Sequence, residues 1–310
     1  MTQIEDDLVF RGSVFSWLAS QMDEKPAFNR DDLRSFPFRG GVHRIVGPFT
    51  GIWKLRQFSE AAISIVTAYV PNPDKRPYED TVGDDGLLRY KWRGTDPNHA
   101  DNVALRKAMQ QQLPLVWFVG IGYAPGTQTQ LFIPQFPVWL VAEEPEQHQF
   151  VVAVEQGQRV PSLNDPAEVQ EIRRRYNQQL VKARYHQPLF RAAVIHAYER
   201  KCAVCGLPFA ELLEAAHIRP DAKGGAAIVT NGISLCRIHH GAYDTNIMGI
   251  APDFTIHVRP SVMETIDGPT LQHSIKGVDG QSLRHLPRSR KEHPDQDLLE
   301  ERFVEFERAS

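Results

Sequence analysis

Two short segments of the chain each contain a pair of side chains that can bind a metal ion. Cys202 and Cys205 form one pair, and Cys236 and His239 form a second pair with the same spacing. Four nitrogen and sulfur ligands match the tetrahedral coordination of a structural Zn²⁺ site, which has no open position. The spacing therefore predicts a zinc ion that holds the two segments together. The alternative is three unrelated buried thiols.

A second group of side chains lies beside these ligands and offers different chemistry. His240 and Asp244 are four positions apart, so on a helix they share one face with Cβ atoms roughly 5–6 Å apart. An imidazole and a carboxylate with open positions suit Mg²⁺ or a similar divalent ion, which can bridge a phosphodiester and stabilise its leaving oxygen. The pair therefore predicts a catalytic cation site. The alternative for Asp244 is a helix cap or a surface charge.

Two further residues complete the predicted chemistry. His217, in "EAAHIRP", is outside the zinc set, and an imidazole with a pKa near 6.5 can accept a proton from water at neutral pH. We predict that His217 is a general base, the alternative being an ordinary loop histidine. Asn231, in "TNGISLC", can fix the loop that carries His217 through hydrogen bonds to backbone groups.

The ordered pattern "CAVC…LEAAHIRP…NGISLCRIHHGAYD" resembles the zinc-containing branch of the HNH endonuclease family. The resemblance implies a ββα-metal fold and a catalytic set of His217, Asn231 and His240. Many members place an acidic or histidine metal ligand directly before the base, whereas this chain has Ala216. Either Glu214 or water would complete the metal shell, or the cation would bind more weakly.

The elements that must position these residues follow from periodicity. Residues 3–22, the stretch "HADNVALRKAMQQQ", residues 166–198 and residues 295–308 are predicted helices. Five β-type runs lie between residues 36 and 155, namely "AISIVTAYV", "LLRYKW", "PLVWFVGI", "FPVWLVAE" and "FVVAV", and another β-like patch covers residues 247–259. We therefore expect an α+β protein with three parts: a strand-rich domain over 1–160, a basic helical connector over 161–197, and an HNH nuclease domain with a C-terminal helical extension over 198–310.

One stretch of the first part, residues 76–108, combines aromatic and acidic side chains. Such a mixture suits a polar pocket with stacking walls, which a base flipped out of a duplex would need. The stretch resembles the SRA domain, a PUA-like β-barrel that flips modified cytosine. The alternative is that these side chains pack against one another on twisted hairpins. The predicted base-binding residues are Tyr78, Asp80, Tyr90, Trp92 and Asn102.

The bulk properties limit the choice of partners. The chain has 310 residues, a formal net charge of −3 and an acidic N-terminal stretch, and it lacks an apolar run near the roughly 20 residues of a membrane span. We expect a cytoplasmic protein without a membrane partner. Arg173, Arg174 and Arg175 belong to a local basic run, which would contact DNA phosphates or would simply be a solvated helical face.

Together these features predict a metal-dependent DNA endonuclease, with Zn²⁺ as a structural ion and Mg²⁺ or a similar ion as the catalytic one. The order of a strand-rich module and an HNH module also resembles predicted bacterial restriction endonucleases, so we expect double-stranded DNA, including modified-cytosine DNA, as the substrate. A homodimer is a hypothesis from stoichiometry, since one site per chain must cut two strands. The alternatives are a non-catalytic zinc-containing nucleic-acid-binding protein and a zinc-stabilised interaction scaffold.

Overall fold

The computed structural model describes residues 3–309 except 26, 56, 58, 72–81, 157, 159, 161–165 and 267. The chain divides into two compact units, Met1–Leu189 and Phe190–Ser310. We call them the N-terminal unit and the C-terminal unit. The predicted division into three parts, at residues 160 and 197, stays a prediction.

The N-terminal unit mixes strands and helices. Its strands are β1 (Phe36–Phe38), β2 (Gly41–His43), β3 (Ile52–Trp53), β4 (Ser64–Thr67), β5 (Leu88–Lys91), β6 (Leu115–Tyr123), β7 (Gln130–Glu144) and β8 (Gln149–Ala153). Its helices are α1 (Gln3–Glu24), α2 (Ala100–Gln110) and α3 (Ala167–Val181), and a π-helical turn at Lys182–His186 leads into α4 (Gln187–Ala197), which includes the boundary between the units.

Six of these strands form one sheet in the order β3-β4-β6-β7-β8-β5. Only the β4–β6 pair is parallel. Successive side chains of a strand point to opposite faces, and in β6 both faces are buried. Trp117 packs in a cluster with Leu105 of α2, whereas the next residue, Phe118, packs in a cluster with Phe10 of α1. The sheet therefore lies between two apolar cores.

Charged groups inside this unit are paired. Arg11 on α1 is fully buried, and its guanidinium donates to the Asp7 carboxylate at 2.8 Å and to the carbonyl oxygen of Pro114 at 2.7 Å. Burial lowers the pKa of Arg11, and the Asp7 carboxylate opposes that effect. Such a pair satisfies a buried charge that would otherwise be costly.

The C-terminal unit is built around a two-stranded hairpin and a short helix. Strands β9 (Leu213–His217) and β10 (Gly232–Cys236) pair antiparallel, and α5 (Arg237–Asp244) follows directly. A second antiparallel pair, β11 (Met248–Ile250) and β12 (Ile256–Val258), comes next. The remaining helices are α6 (Pro260–Met263), α7 (Pro269–Ser274) and α8 (Gln296–Ala309).

The hairpin and α5 pack through small and aliphatic side chains. Ala216 and Ile233 lie opposite each other across the two strands, and both are buried in one cluster with Ala242 and Tyr243 of α5. At the base of the hairpin Gly232 has no room for a side chain, because a Cβ there would lie 2.4 Å from Val194 and 2.9 Å from Phe190. Helix α4 therefore supports the hairpin from the side.

The secondary structure predicted from periodicity is confirmed. Helices α1, α2 and α8 lie where the apolar periodicity predicts them, and the predicted helical stretch after residue 166 contains α3 and α4. All five β-type runs contain a strand of the six-stranded sheet, and residues 247–259 contain β11 and β12. The fold is mixed α+β and rich in strands.

Candidate metal centre and catalytic cleft

The four predicted zinc ligands meet in the C-terminal unit. One ligand atom from each of Cys202, Cys205, Cys236 and His239 lies within 4.8 Å of the other three. His239 Nδ1 is 3.1 Å from the Cys236 sulfur and 3.5 Å from the Cys202 sulfur. Three thiols and one imidazole nitrogen at this separation fit Zn²⁺ by their donor chemistry.

Local backbone geometry positions both ligand pairs of this cluster, Cys202 with Cys205 and Cys236 with His239. After α4, the Cys202 N–H donates to the carbonyl of Leu207 and the Gly206 N–H donates to that of Cys202. Gly206 has φ +76°, a conformation that suits glycine. Cys236 ends β10 and His239 lies in the first turn of α5. The second pair of ligands is therefore placed by the junction of strand and helix.

The four side chains of the cluster change one another's pKa values, and the pKa values of Cys202 and Cys205 shift in opposite directions. Hydrogen bonds from the thiols of Cys205 and Cys236 lower the pKa of Cys202 and so favour its thiolate. Burial lowers the pKa of His239, but hydrogen bonds with Cys202 and Cys236 outweigh burial and raise that pKa to about 10. The His239 Nε2–H donates to the Ser274 carbonyl at 2.7 Å, which fixes the ring with Nδ1 toward the sulfur atoms, as a supporting group does for a metal-bound histidine.

The register of the hairpin positions His217. This residue ends β9 opposite Gly232, the first residue of β10. Its imidazole stacks on the ring of Phe190, with the ring centroids 3.9 Å apart and an angle of 23° between the planes. Because Phe190 is buried on α4, the stack holds the plane of the imidazole against a rigid helix.

Asn231 fixes the loop that follows His217. Its side chain is buried, with 1% exposure. The amide oxygen accepts from the Arg219 N–H at 2.8 Å, and the amide nitrogen donates to the carbonyls of Arg219 at 3.1 Å and Ala226 at 2.8 Å. The Ile218 N–H also donates to the Asn231 carbonyl. The catalytic role of Asn231 stays a prediction.

His240 lies between two carboxylates. Its Nδ1 is 2.6 Å from Glu214 Oε2, and its Nε2 is 3.2 Å from Asp244 Oδ2. Glu214 comes from β9, and Asp244 comes from one turn further along α5. Ala216, the position directly before His217, is buried in the core and offers no ligand. The two carboxylates therefore lie on opposite sides of the imidazole ring. His240 Nε2 and Asp244 are a nitrogen and oxygen pair that suits a divalent cation, and Glu214 at Nδ1 orients the ring.

A cleft of about 470 Å³ connects these groups. His217, His240 and Asp244 line it together, so the structure brings the predicted base and the predicted cation ligands to one place. The loop after His217 and helix α8 supply the other walls, through Pro220, Asp221, Lys223, Arg302 and Glu305, with Ala215 and Asn246 completing the lining. Sequence reasoning missed the α8 residues, because the amphipathic pattern of a terminal helix does not reveal where the helix packs.

The residues predicted to bind a flipped nucleobase do not form an open pocket among the described residues. Tyr78 and Asp80 lie outside the described residues. Tyr90 and Trp92 are buried, with 7% and 4% exposure, and the Tyr90 hydroxyl donates to the carbonyl of Gly51 at 3.1 Å. Asn102 is fully buried and bonds the backbone of Arg93 and Asp96. These contacts match the packing alternative, and base recognition stays a prediction.

The three predicted phosphate-binding arginines lie on α3. Arg173, Arg174 and Arg175 are exposed on consecutive positions of the helix. Glu171 contacts two of them, at 3.6 Å from Arg174 and 2.8 Å from Arg175. Exposed pairs of this kind contribute at most about 1 kcal/mol, so phosphate groups can compete for these side chains.

The comparison with protein families addresses the C-terminal unit. Residues 202–251 match the family model of the HNH endonucleases. This segment runs from the first zinc-cluster cysteine to the strand after α5, and it contains the hairpin, the predicted base and the predicted cation ligands. Residues 202–251 of the C-terminal unit therefore form an HNH endonuclease domain by similarity, and such a domain implies nuclease activity.

Comparisons over longer stretches give weaker similarities. No match was found among curated proteins. Among solved structures, the modification-dependent restriction endonuclease TagI is similar, with 18% identity, a TM-score of 0.29, and coverage of 89% of this chain and 90% of that chain. The type IV phosphorothioation-dependent restriction endonuclease ScoMcrA has 16% identity, a TM-score of 0.25, and coverage of 70% of this chain and 54% of that one.

Within the described residues, no helix is long and apolar enough to cross a membrane.

Proposed function

We propose that the protein is a metal-dependent DNA endonuclease of restriction type. The observation that carries this proposal is that His217, His240 and Asp244 line one cleft within the HNH domain. A base and a cation site facing the same space are the minimum that hydrolysis of a phosphodiester needs.

The residues of the cleft have distinct roles in this proposal. His217 accepts the proton of the attacking water. Phe190 fixes the plane of the imidazole by stacking, and Asn231 fixes the following loop, so that the imidazole is oriented before DNA binds. Because the imidazole is already oriented, DNA binding does not have to order it.

The cation would be held by His240 and Asp244 with water completing its shell, and Mg²⁺ is the ion that we propose. When bound, such an ion supplies positive charge that stabilises the leaving oxygen. Three of the four Zn²⁺ ligands, Cys202, Cys236 and His239, are buried away from solvent and so from DNA. We assign zinc a structural role, in which it joins the end of α4 to the start of α5.

The N-terminal unit would choose the DNA. We propose an SRA/PUA-like domain that reads double-stranded DNA, with modified cytosine as the target. This part of the proposal rests on the sequence resemblance over residues 76–108 and not on Tyr90, Trp92 and Asn102, which are buried. Arg173, Arg174 and Arg175 would contact phosphates without reading sequence. A homodimer would supply the two sites that cleavage of both strands requires.

The test is cleavage of supercoiled plasmid, both methylated and unmethylated, in the presence of Mg²⁺. We expect nicking or linearisation by the parent protein, and a loss of about 10²–10⁴-fold in rate for His217→Ala. His257→Ala is the matched control, because His257 is exposed on β12 and does not line the cleft. Equal rates for the parent and His217→Ala would refute the assignment of the base.

A second candidate function is DNA binding without catalysis. Ala216 favours it, because its buried methyl group leaves one strand position without the ligand that many HNH enzymes have there. The plasmid assay separates the two functions. DNA retention without any cleavage by the parent, across Mg²⁺ and Mn²⁺, would establish the binder.

A further inference from the structure

Helix α8 lies outside the residues that match the HNH family and yet forms one wall of the cleft. Its position is fixed by packing. Leu299 and Phe306 are buried, and a Cβ at Gly249 of β11 would lie 2.5 Å from the Phe306 ring. Close packing of a ring on a glycine leaves little freedom for the helix to shift. The side chains on its cleft side are therefore held in defined positions.

The guanidinium of Arg302, on α8, is held in place by two hydrogen bonds and an aromatic ring. Its side chain is 10% exposed. Nη2 donates to the Tyr243 carbonyl at 2.7 Å, Nη1 donates to Asn246 Oδ1 at 2.5 Å, and the guanidinium lies 4.9 Å from the centroid of the Tyr243 ring. Neutral acceptors and a ring face orient the group, and the Glu305 carboxylate lies 3.7 Å away as an ionic neighbour.

Lys223 and Arg302, the two cations that line the cleft, both lie near Glu305, and Lys223 is the closer of the two. Lys223 is 2.5 Å from Glu305, whereas Arg302 is 3.7 Å from the same carboxylate, beyond hydrogen-bond distance. Arg219, on the loop beside Lys223, is paired with Glu301. Within the part of the chain that the structure describes, Arg302 is thus the cleft cation whose hydrogen-bond partners are neutral. A guanidinium has five N–H donors and keeps its charge at any working pH.

We propose that Arg302 binds a phosphate group of the DNA strand in the cleft that His240 and Asp244 also line. This inference rests on the proposed function and adds a phosphate-binding residue from a helix outside the family match. Negative charge on the phosphate increases as the leaving oxygen departs. A pre-oriented guanidinium stabilises that charge without having to reorganise. Tyr243 and Asn246 are positioning residues for it.

A purely structural role is the competing explanation, because Arg302 also joins α8 to the end of α5. Three variants separate the two roles. Arg302→Gln has an amide that can donate to the Tyr243 carbonyl but carries no charge. Arg302→Ala removes both. Arg308→Ala is the matched control, since Arg308 is an exposed arginine on the same helix and does not line the cleft.

The experiment measures the full-length protein in two ways. The first is the rate of plasmid cleavage at saturating DNA. The second is the salt dependence of binding to a fluorescent duplex fragment of that plasmid. This measurement uses the His217→Ala background, in which the general base is removed so that the DNA is not cleaved. Thermal melting of each variant reports on folding.

We expect Arg302→Gln and Arg302→Ala to reduce the slope of log K against log salt by about one, the value for one lost phosphate contact. We also expect both variants to lose about 10²-fold in cleavage rate at saturating DNA. The melting temperature of Arg302→Gln should be near that of the parent protein. Arg308→Ala should match the parent protein in salt slope, cleavage rate and melting temperature. An unchanged salt slope, or an equal change in Arg308→Ala, overturns the proposal. A reduced slope in a protein whose parent never cleaves DNA supports the phosphate contact and refutes the proposed enzyme.

Discussion

Replacement of Asn231 by alanine tests whether hydrogen bonds to backbone hold the loop after His217. The change removes three bonds, to the Arg219 N–H, the Arg219 carbonyl and the Ala226 carbonyl. Each intramolecular hydrogen bond contributes about 1 kcal/mol net, and a buried partner left unpaired costs about 1–3 kcal/mol. Because Asn231 is almost inaccessible to solvent, water cannot easily replace the amide. We therefore expect the C-terminal unit to lose about 3 kcal/mol of stability.

Urea unfolding followed by a probe of the C-terminal unit measures this loss. Asn231→Asp keeps the acceptor for the Arg219 N–H but cannot donate to either carbonyl when ionised, so we expect it to be no more stable than Asn231→Ala. Asn102 offers a comparison, because it makes three bonds of the same kind to Arg93 and Asp96 in the N-terminal unit. Asn102→Ala should destabilise that unit by a similar amount. A loss below about 1 kcal/mol in both alanine variants would refute the reasoning.

Two further predictions concern the frame of the cleft. Metal analysis should find about one zinc per chain, and Cys236→Ser should lower both the zinc content and the melting temperature of the C-terminal unit, whereas full zinc content in Cys236→Ser would contradict the ligand set. Gly225→Ala should destabilise the loop after His217, because its Cβ would lie 1.8 Å from the Arg219 carbonyl oxygen and 2.9 Å from Asn231 Nδ2. Gly241→Ala is its control, since a Cβ there meets nothing within 4 Å, and equal melting temperatures for the two variants would count against the steric argument.

Local sequence patterns predict the helices and the zinc cluster because the information is itself local. An apolar stripe at helical spacing is visible in the residues that form α1, and the zinc ligands come as two short pairs. The wall that α8 forms is different. Arg302 reaches the cleft only because α8 packs on β11, and that contact joins segments far apart in the chain. Periodicity shows which face of α8 is apolar but not which strand it covers.

Strand β5 shows why the predicted base pocket could not be distinguished from a core. Its sequence "LRYK" alternates apolar and charged residues, which is typical of a strand with one solvated face. Leu88, Arg89 and Tyr90 are nevertheless all buried. Arg89 is buried because its guanidinium donates to the carboxylates of Asp85 and Glu144, at 3.0 and 2.8 Å. A charged residue that is buried in an ion pair therefore produces the same sequence alternation as a strand with one solvated face.

The adjacent residues His239 and His240 explain how eight residues of α5 would serve the two proposed metal sites. Neighbouring side chains on a helix point about 100° apart, so one imidazole faces the zinc cluster while the next faces Glu214 and Asp244. A helix this short is not stable in isolation. Its orientation depends on the zinc ligands at its first turn and on packing against the hairpin. In the proposed scheme zinc would position His240 without touching the substrate. A protein without zinc should therefore lose cation binding in the cleft as well as stability.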